Sequence, residues 1–171
     1  MPSGPYTPNQ KSGAPPLADA GGFSDHQATA ERSISAPVTP AVGAQNTSQL
    51  GSDVPIAHGG FVQAISVGVT ISQAGKYLTS VSALLIIALG ATAPSALQLS
   101  GTVAGAGSVI FTVPPSQLVN NAVLTVPFFM SGAGTYAAGG SDSPEISVNA
   151  TGQDVTVKSG SYMQGMMVPS S

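Results

Sequence analysis

Residues 74–89 read AGKYLTSVSALLIIAL, the most apolar stretch of the chain, and their spacing constrains the fold more than any other feature. Odd positions from 77 are Tyr77, Thr79, Val81, Ala83, Leu85, Ile87 and Leu89; even positions are Leu78, Ser80, Ser82, Leu84, Ile86 and Ala88. The first half alternates like a half-buried strand, and the second half is apolar on both sides. A strand whose far end is covered on both faces fits this pattern. A helix is the alternative, because Ala and Leu are good helix formers, but Gly75 stands just before the run and only Gly90 offers a C-cap. The apolar run from Val81 ends at Thr92, Pro94 and Ser95, well short of the ~20 residues a bilayer requires. A membrane span is excluded.

If Leu84, Ile86 and Ala88 point away from the core of their own chain, another surface must cover them, because a sizeable exposed apolar patch is unusual on a monomer. The economical cover is further copies of the same chain around a three-fold axis. Leu84 and Ile86 are therefore expected at a homotrimer interface. Met163, Met166 and Met167 are expected to fill either the core or that axis with adaptable side chains, and Met163 and Met166 are assigned to the interface.

Residues 61–171 carry short apolar or alternating runs punctuated by Gly, Pro, Asn and Ser. Strands are predicted at 61–72, 76–89, 96–103, 108–113, 122–130, 144–150, 154–158 and 161–168. Eight strands at this spacing predict an all-β jelly-roll sandwich. Residues 1–60 differ: they hold eight of the fourteen prolines, six of the eleven charges and two of the nine aromatics. This composition, without sustained periodicity, predicts an extended N-terminal arm. Its one helical candidate is SDHQATAERS, 24–33, where Ser24 or Asp25 could cap. Fully extended, such an arm reaches roughly 200 Å, and its candidate anchors are Tyr6, Leu17, Phe23 and Ile34.

Composition removes several function classes. Charged residues are only 6% of the chain, against roughly a quarter in a typical soluble domain, which favours a surface largely covered by partners. Four basic residues and a net charge of −3 cannot supply a phosphate-binding field, and there is no Trp to stack on bases, so nucleic-acid binding is not expected. The absence of Cys removes disulfides and thiolate metal sites. The opening MPSGPYTPNQ has neither a basic nor an apolar export region, so no secretory signal is expected.

Three stretches resemble a known family. ISQAGKYLTSVSALL (71–85) resembles the strand signature of the C1q/TNF-like jelly roll, in which a small-residue turn and Gly lead into an aromatic residue and an alternating strand. ALQLSGTVAGAG (96–107) resembles the next strand and its Gly-rich hairpin, and SGSYMQGMMVP (159–169) the closing strand. The resemblance covers residues 61–171 and is one of turns and alternation. It implies a compact trimer with first and last strands adjacent, so that the arm leaves from the trimer base. It also implies settings: ligand-binding heads, spore-surface tips, and decoration or cement proteins of tailed-phage capsids. The family's collagen-like stalk or membrane anchor has no counterpart in residues 1–60.

Chemistry is sparse. His26 and His58 are too few and too far apart to suggest zinc. Asp142 and Glu145 could offer oxygens to calcium, but a hard-cation cage usually needs more ligands. The glycines of GTVAGAGS (101–108) lack the dinucleotide-turn spacing and fit a hairpin. No catalytic residue, cofactor or metal is assigned, and an enzyme is not expected. The sequence reading is thus a virion protein: a trimeric decoration protein on the outer surface of a phage shell, whose partner is the major capsid protein. The alternative is a trimeric recognition head for a glycan or receptor, with SGAGTYAAGGSDSP (131–144) as its apical loop and Tyr136 as a stacking platform.

Overall fold

The computed structural model describes residues 43–170, and every structural statement below concerns those residues. Twelve strands follow in chain order: β1 Ala44–Gln49, β2 Val54–Ile56, β3 Val62–Ser66, β4 Val69–Thr70, β5 Gly75–Leu89, β6 Ala96–Val103, β7 Gly107–Thr112, β8 Val123–Tyr136, β9 Ser141–Asp142, β10 Glu145–Thr151, β11 Val155–Val157 and β12 Tyr162–Pro169. A single 3-10 turn, Pro115–Gln117, precedes β8.

Strand β5 organises one sheet, here called sheet A. On one side β8 pairs with it antiparallel from Gly75↔Tyr136 to Ala88↔Val123. On the other side β12 pairs with residues 77–84 and β11 with residues 87–89, and these carry β1 and β2 at the edge. Sheet B has the order β3-β10-β6-β7, and β4 and β9 form a two-stranded ribbon. Among the eight principal strands, β1, β3, β5, β6, β7, β8, β10 and β12, the first pairs with the last, and the second with the seventh. That nested antiparallel order is the double Greek key of a jelly roll.

The alternation in β5 explains the core. All seven odd positions from Tyr77 to Leu89 are buried, while the even positions are half-buried or exposed. Leu97 and Leu99 of β6 and Ile146 and Val148 of β10 meet them from sheet B, as expected of two inner faces packed together. The helix alternative for 74–89 is thereby removed. The predicted hairpin is also present: β6 turns into β7 through Gly105, at φ 77°. A side chain at Gly105 would collide with the backbone carbonyl of Ala133, so both backbone angle and space demand glycine.

Three expectations need correction. The arm was expected to run to residue 60, but β1 and β2 lie ahead of that point and pair with β12 and β11. Their ordering comes from the sheet: AQNTSQ has little hydrophobic signal and becomes a strand because β12 leaves an edge for it. Met163, assigned to the trimer interface, is fully buried inside its own chain, opposite Ala83 on the inward side of β5. Finally β8 continues through SGAGTY to Tyr136, where an apical loop was expected. Tyr6, Leu17, Phe23, Ile34 and the helix candidate at 24–33 lie outside the described residues.

Candidate functional site

The face of sheet A that looks away from the core is built by strict alternation. On β5 it presents Leu78, Ser80, Ser82, Leu84, Ile86 and Ala88; on β8, Val123, Thr125, Pro127, Phe129 and Ala133; on β12, Tyr162, Gln164, Met166 and Val168. The cross-strand register sets Tyr162, Leu84 and Pro127 in one row, and Gln164, Ser82 and Phe129 in the next. Phe129 is 70% exposed, more than any other large apolar residue described. The outward positions of β1, β5, β8 and β12 carry one charge, Lys76, at the end of β5.

The face has relief. Ser80 and Ser82 on the central strand are short, while Met166 on one neighbour and Phe129 on the other are long. The result is a depression of about 250 Å³ lined by Ser80, Ser82, Phe129, Gln164 and Met166. Apolar walls over a hydroxyl floor suit a partner's apolar side chain better than a charged ligand.

Of the four residues expected at an interface, Leu84, Ile86 and Met166 lie on this face and Met163 does not. Phe129, Pro127, Leu78, Tyr162 and Val168 complete it, and the sequence reading missed them. The signal was available: AVLTVPFFM is apolar at both parities, as β5 is, so one of its two sets must face outward.

Among the described residues, His58, Asp53, Asp142, Asp154 and Lys158 are engaged elsewhere. His58 meets Asp154 at 2.5 Å, and Asp154 also accepts from the His58 backbone N–H at 2.9 Å; these contacts hold its carboxyl below the ordinary value. Lys158 pairs with Asp53, which accepts also from the Ser159 N–H at 2.8 Å, and this carboxyl too lies below its ordinary value, mainly through Lys158. The two pairs flank the short β2–β11 ladder and pin the edge of sheet A. Asp142 is buried and accepts from Ala104 N–H and from the Tyr136 hydroxyl, the latter at 3.2 Å. Burial, with that carboxylate beside it, pushes the Tyr136 phenol up.

Tyr136 is therefore not a free stacking platform. Its ring packs edge-on against buried Tyr77, centroids 6.2 Å apart, and its hydroxyl is committed to Asp142. The Asp142 carboxylate is committed to Ala104 N–H and the Tyr136 hydroxyl, and among the described residues no group of three or more His, Cys, Asp or Glu could hold a metal ion. Among them, too, no helix is long and apolar enough to cross a membrane.

No family model matches the sequence, and no curated protein matches it. Solved structures similar to it include Eiger TNF from S. frugiperda, with 12% identity and a TM-score of 0.39 over 77% of this chain and 95% of that one. The PRD1 vertex protein P5 has 11% identity and a TM-score of 0.38 over 79% of this chain and all of that one. The structure of infectious bursal disease virus, Gt strain, has 11% identity and a TM-score of 0.40 over 74% of this chain and 32% of that one. The jelly-roll assignment rests on the strand order itself and not on these likenesses.

Proposed function

We propose that the chain is a structural virion protein: a C1q/TNF-like homotrimer that decorates the outer surface of a tailed-phage capsid and stabilises it through its N-terminal arm. The observation that carries the reading is the outer face of sheet A. A face with Phe129 at 70% exposure beside Leu78, Met166 and Val168 is costly to leave in water, at roughly 25 cal/mol per Å² of apolar area. Its nearly charge-free surface imposes little desolvation penalty when a copy of itself covers it. Cyclic closure of three copies would hide all three faces.

The start of the sheet supports the arm's role. Ala44 lies opposite Met167, near the end of β12, so β1 begins at the end of the sandwich where β12 finishes. In a cyclic trimer three arms would emerge on one side. Three linked weak attachments bind far more tightly than one, because each raises the local concentration of the next. Proline-rich arms suit grooves between capsid subunits, where their limited backbone freedom lowers the ordering cost.

Deletion of residues 2–42, which leaves every described strand, tests the reading. The expected product is soluble, keeps the trimer contact and no longer binds phage shells, while full-length protein binds and raises their melting temperature. A truncated chain that binds shells as well as the full chain would sink the arm's role. A mass of one chain at micromolar concentration would sink the trimer.

A further inference from the structure

Strand β7 is an edge of sheet B, paired only with β6. Every residue in it is exposed, including the apolar run Val109, Ile110 and Phe111. A bare edge is a template for another strand, and natural proteins usually blunt it with proline, charge, a bulge or a cover. The other edges of sheets A and B carry such devices. Strand β2 contains Pro55 and sits between the Lys158–Asp53 ion pair and the His58–Asp154 hydrogen bond; β8 contains Pro127; β3 has a register shift opposite residues 146 and 147; and Asn46 of β1 donates to Gly68 O, tying a loop to that edge. Strand β7 has none of them. GSVIFT holds no charge and no proline, and its register with β6 is unbroken.

The geometry points to β7 as a strand-pairing edge whose occupant is β7 of a second copy, antiparallel, with Ile110 opposite Ile110. Val113 N–H donates to Leu97 O at 2.9 Å. In an antiparallel ladder successive residues turn their backbone groups alternately toward and away from the neighbour, so Val109 and Phe111 face β6 while Ser108, Ile110 and Thr112 present N–H and C=O to the open edge. A two-fold axis through the Ile110 pair, normal to the sheet, brings those free groups onto their counterparts. It sets Ser108 against Thr112, Val109 against Phe111 and Ile110 against itself. Hydroxyl meets hydroxyl and β-branched meets aromatic, both favourable cross-strand pairs, and no like charges approach. A slip of one residue would set the side chains of one parity against those of the other across the pair and lose the match. The pairing uses no residue of the sheet A face, so it stands or falls separately from the trimer.

The absence of cysteine makes single-cysteine variants of the full chain direct reporters. Opposed residues in such a pair sit about 5.5 Å apart between Cα atoms, a separation a disulfide spans. Ile110→Cys is expected to give a covalent dimer under mild oxidation, at least tenfold faster than Val119→Cys, which is equally exposed at 57% but lies in a loop. Ser108→Cys or Thr112→Cys alone should stay uncrosslinked, whereas their mixture should form the heterodimer. Ile110→Pro removes only an N–H that points off the edge, and is expected to halve the native mass of the uncrosslinked protein while leaving its melting temperature within a few degrees. Adding Phe129→Lys to Ile110→Cys should leave the cross-link in place. Equal cross-linking at 110 and 119, Ser108→Cys dimerising as fast as the mixture, or an unchanged mass in Ile110→Pro would each overturn the pairing, including in favour of an unrelated peptide on that edge.

Discussion

The two sheets share an inner design and differ on the outside. Inward positions of β5 and β6 are interchangeable in kind: Leu85 and Ile87 on one, Leu97 and Leu99 on the other, all fully buried. Outward positions of sheet B read Gln98, Ser100 and Thr102 on β6, and Ser147, Asn149 and Thr151 on β10. Those of sheet A read Leu78, Leu84, Ile86, Phe129, Tyr162 and Met166 around a polar centre of Ser80, Ser82 and Gln164, whereas in sheet B exposed hydrocarbon is concentrated on the edge strand β7. Charge does not separate the faces, since Lys76 is matched by Glu145. The difference is hydroxyl and amide against hydrocarbon, which separates a face content in water from one that gains by leaving it.

The comparison can be tested from its strongest element downward. Leu85→Ala and Leu99→Ala should each cost about 2–5 kcal/mol in urea unfolding, because both empty a closed core; a much smaller loss on one sheet would mean the inner faces are not equivalent. Phe129→Lys should weaken self-association at least a hundredfold, about 2.8 kcal/mol, with the mass read by light scattering, while Gln98→Lys on sheet B should leave it unchanged. Equal effects from the two lysines would erase the distinction between the faces. Asp142→Ala strips acceptors from Ala104 N–H and the Tyr136 hydroxyl, an expected loss of about 1–3 kcal/mol. Acid should give the smallest effect. Asp53 and Asp154 are held below their ordinary value of 3.8, so their contribution is present above that pH and fades as pH falls through the lower folded values. The melting temperature should drop slightly more steeply there than in the Asp53→Asn, Asp154→Asn double variant.

Much of this was legible in the chain. The parity of 77–89 foretold which side of β5 is buried, and the glycines of 101–108 foretold the hairpin, because both signals are local: side chains alternate with period two, and a positive φ selects glycine. What failed was non-local. AQNTSQ has no strand signal of its own, and it pairs because β12 offers an edge. Met163 and Met166 stand an odd number of residues apart on β12, so alternation alone puts them on opposite faces, and the pairing with β5 decides that Met163 is the inward one. Tyr136 looked like a platform until β9 brought Asp142 to its hydroxyl.

By itself the sequence determined that the chain would be a β-sandwich with an apolar excess on β5, since hydrophobic spacing acts within a few residues of its origin. Only the tertiary structure decided where that excess lies, which methionine shares it, and that β7 has a neighbour on one side only. Those facts depend on which distant strands align, and alignment is chosen by the whole core packing at once.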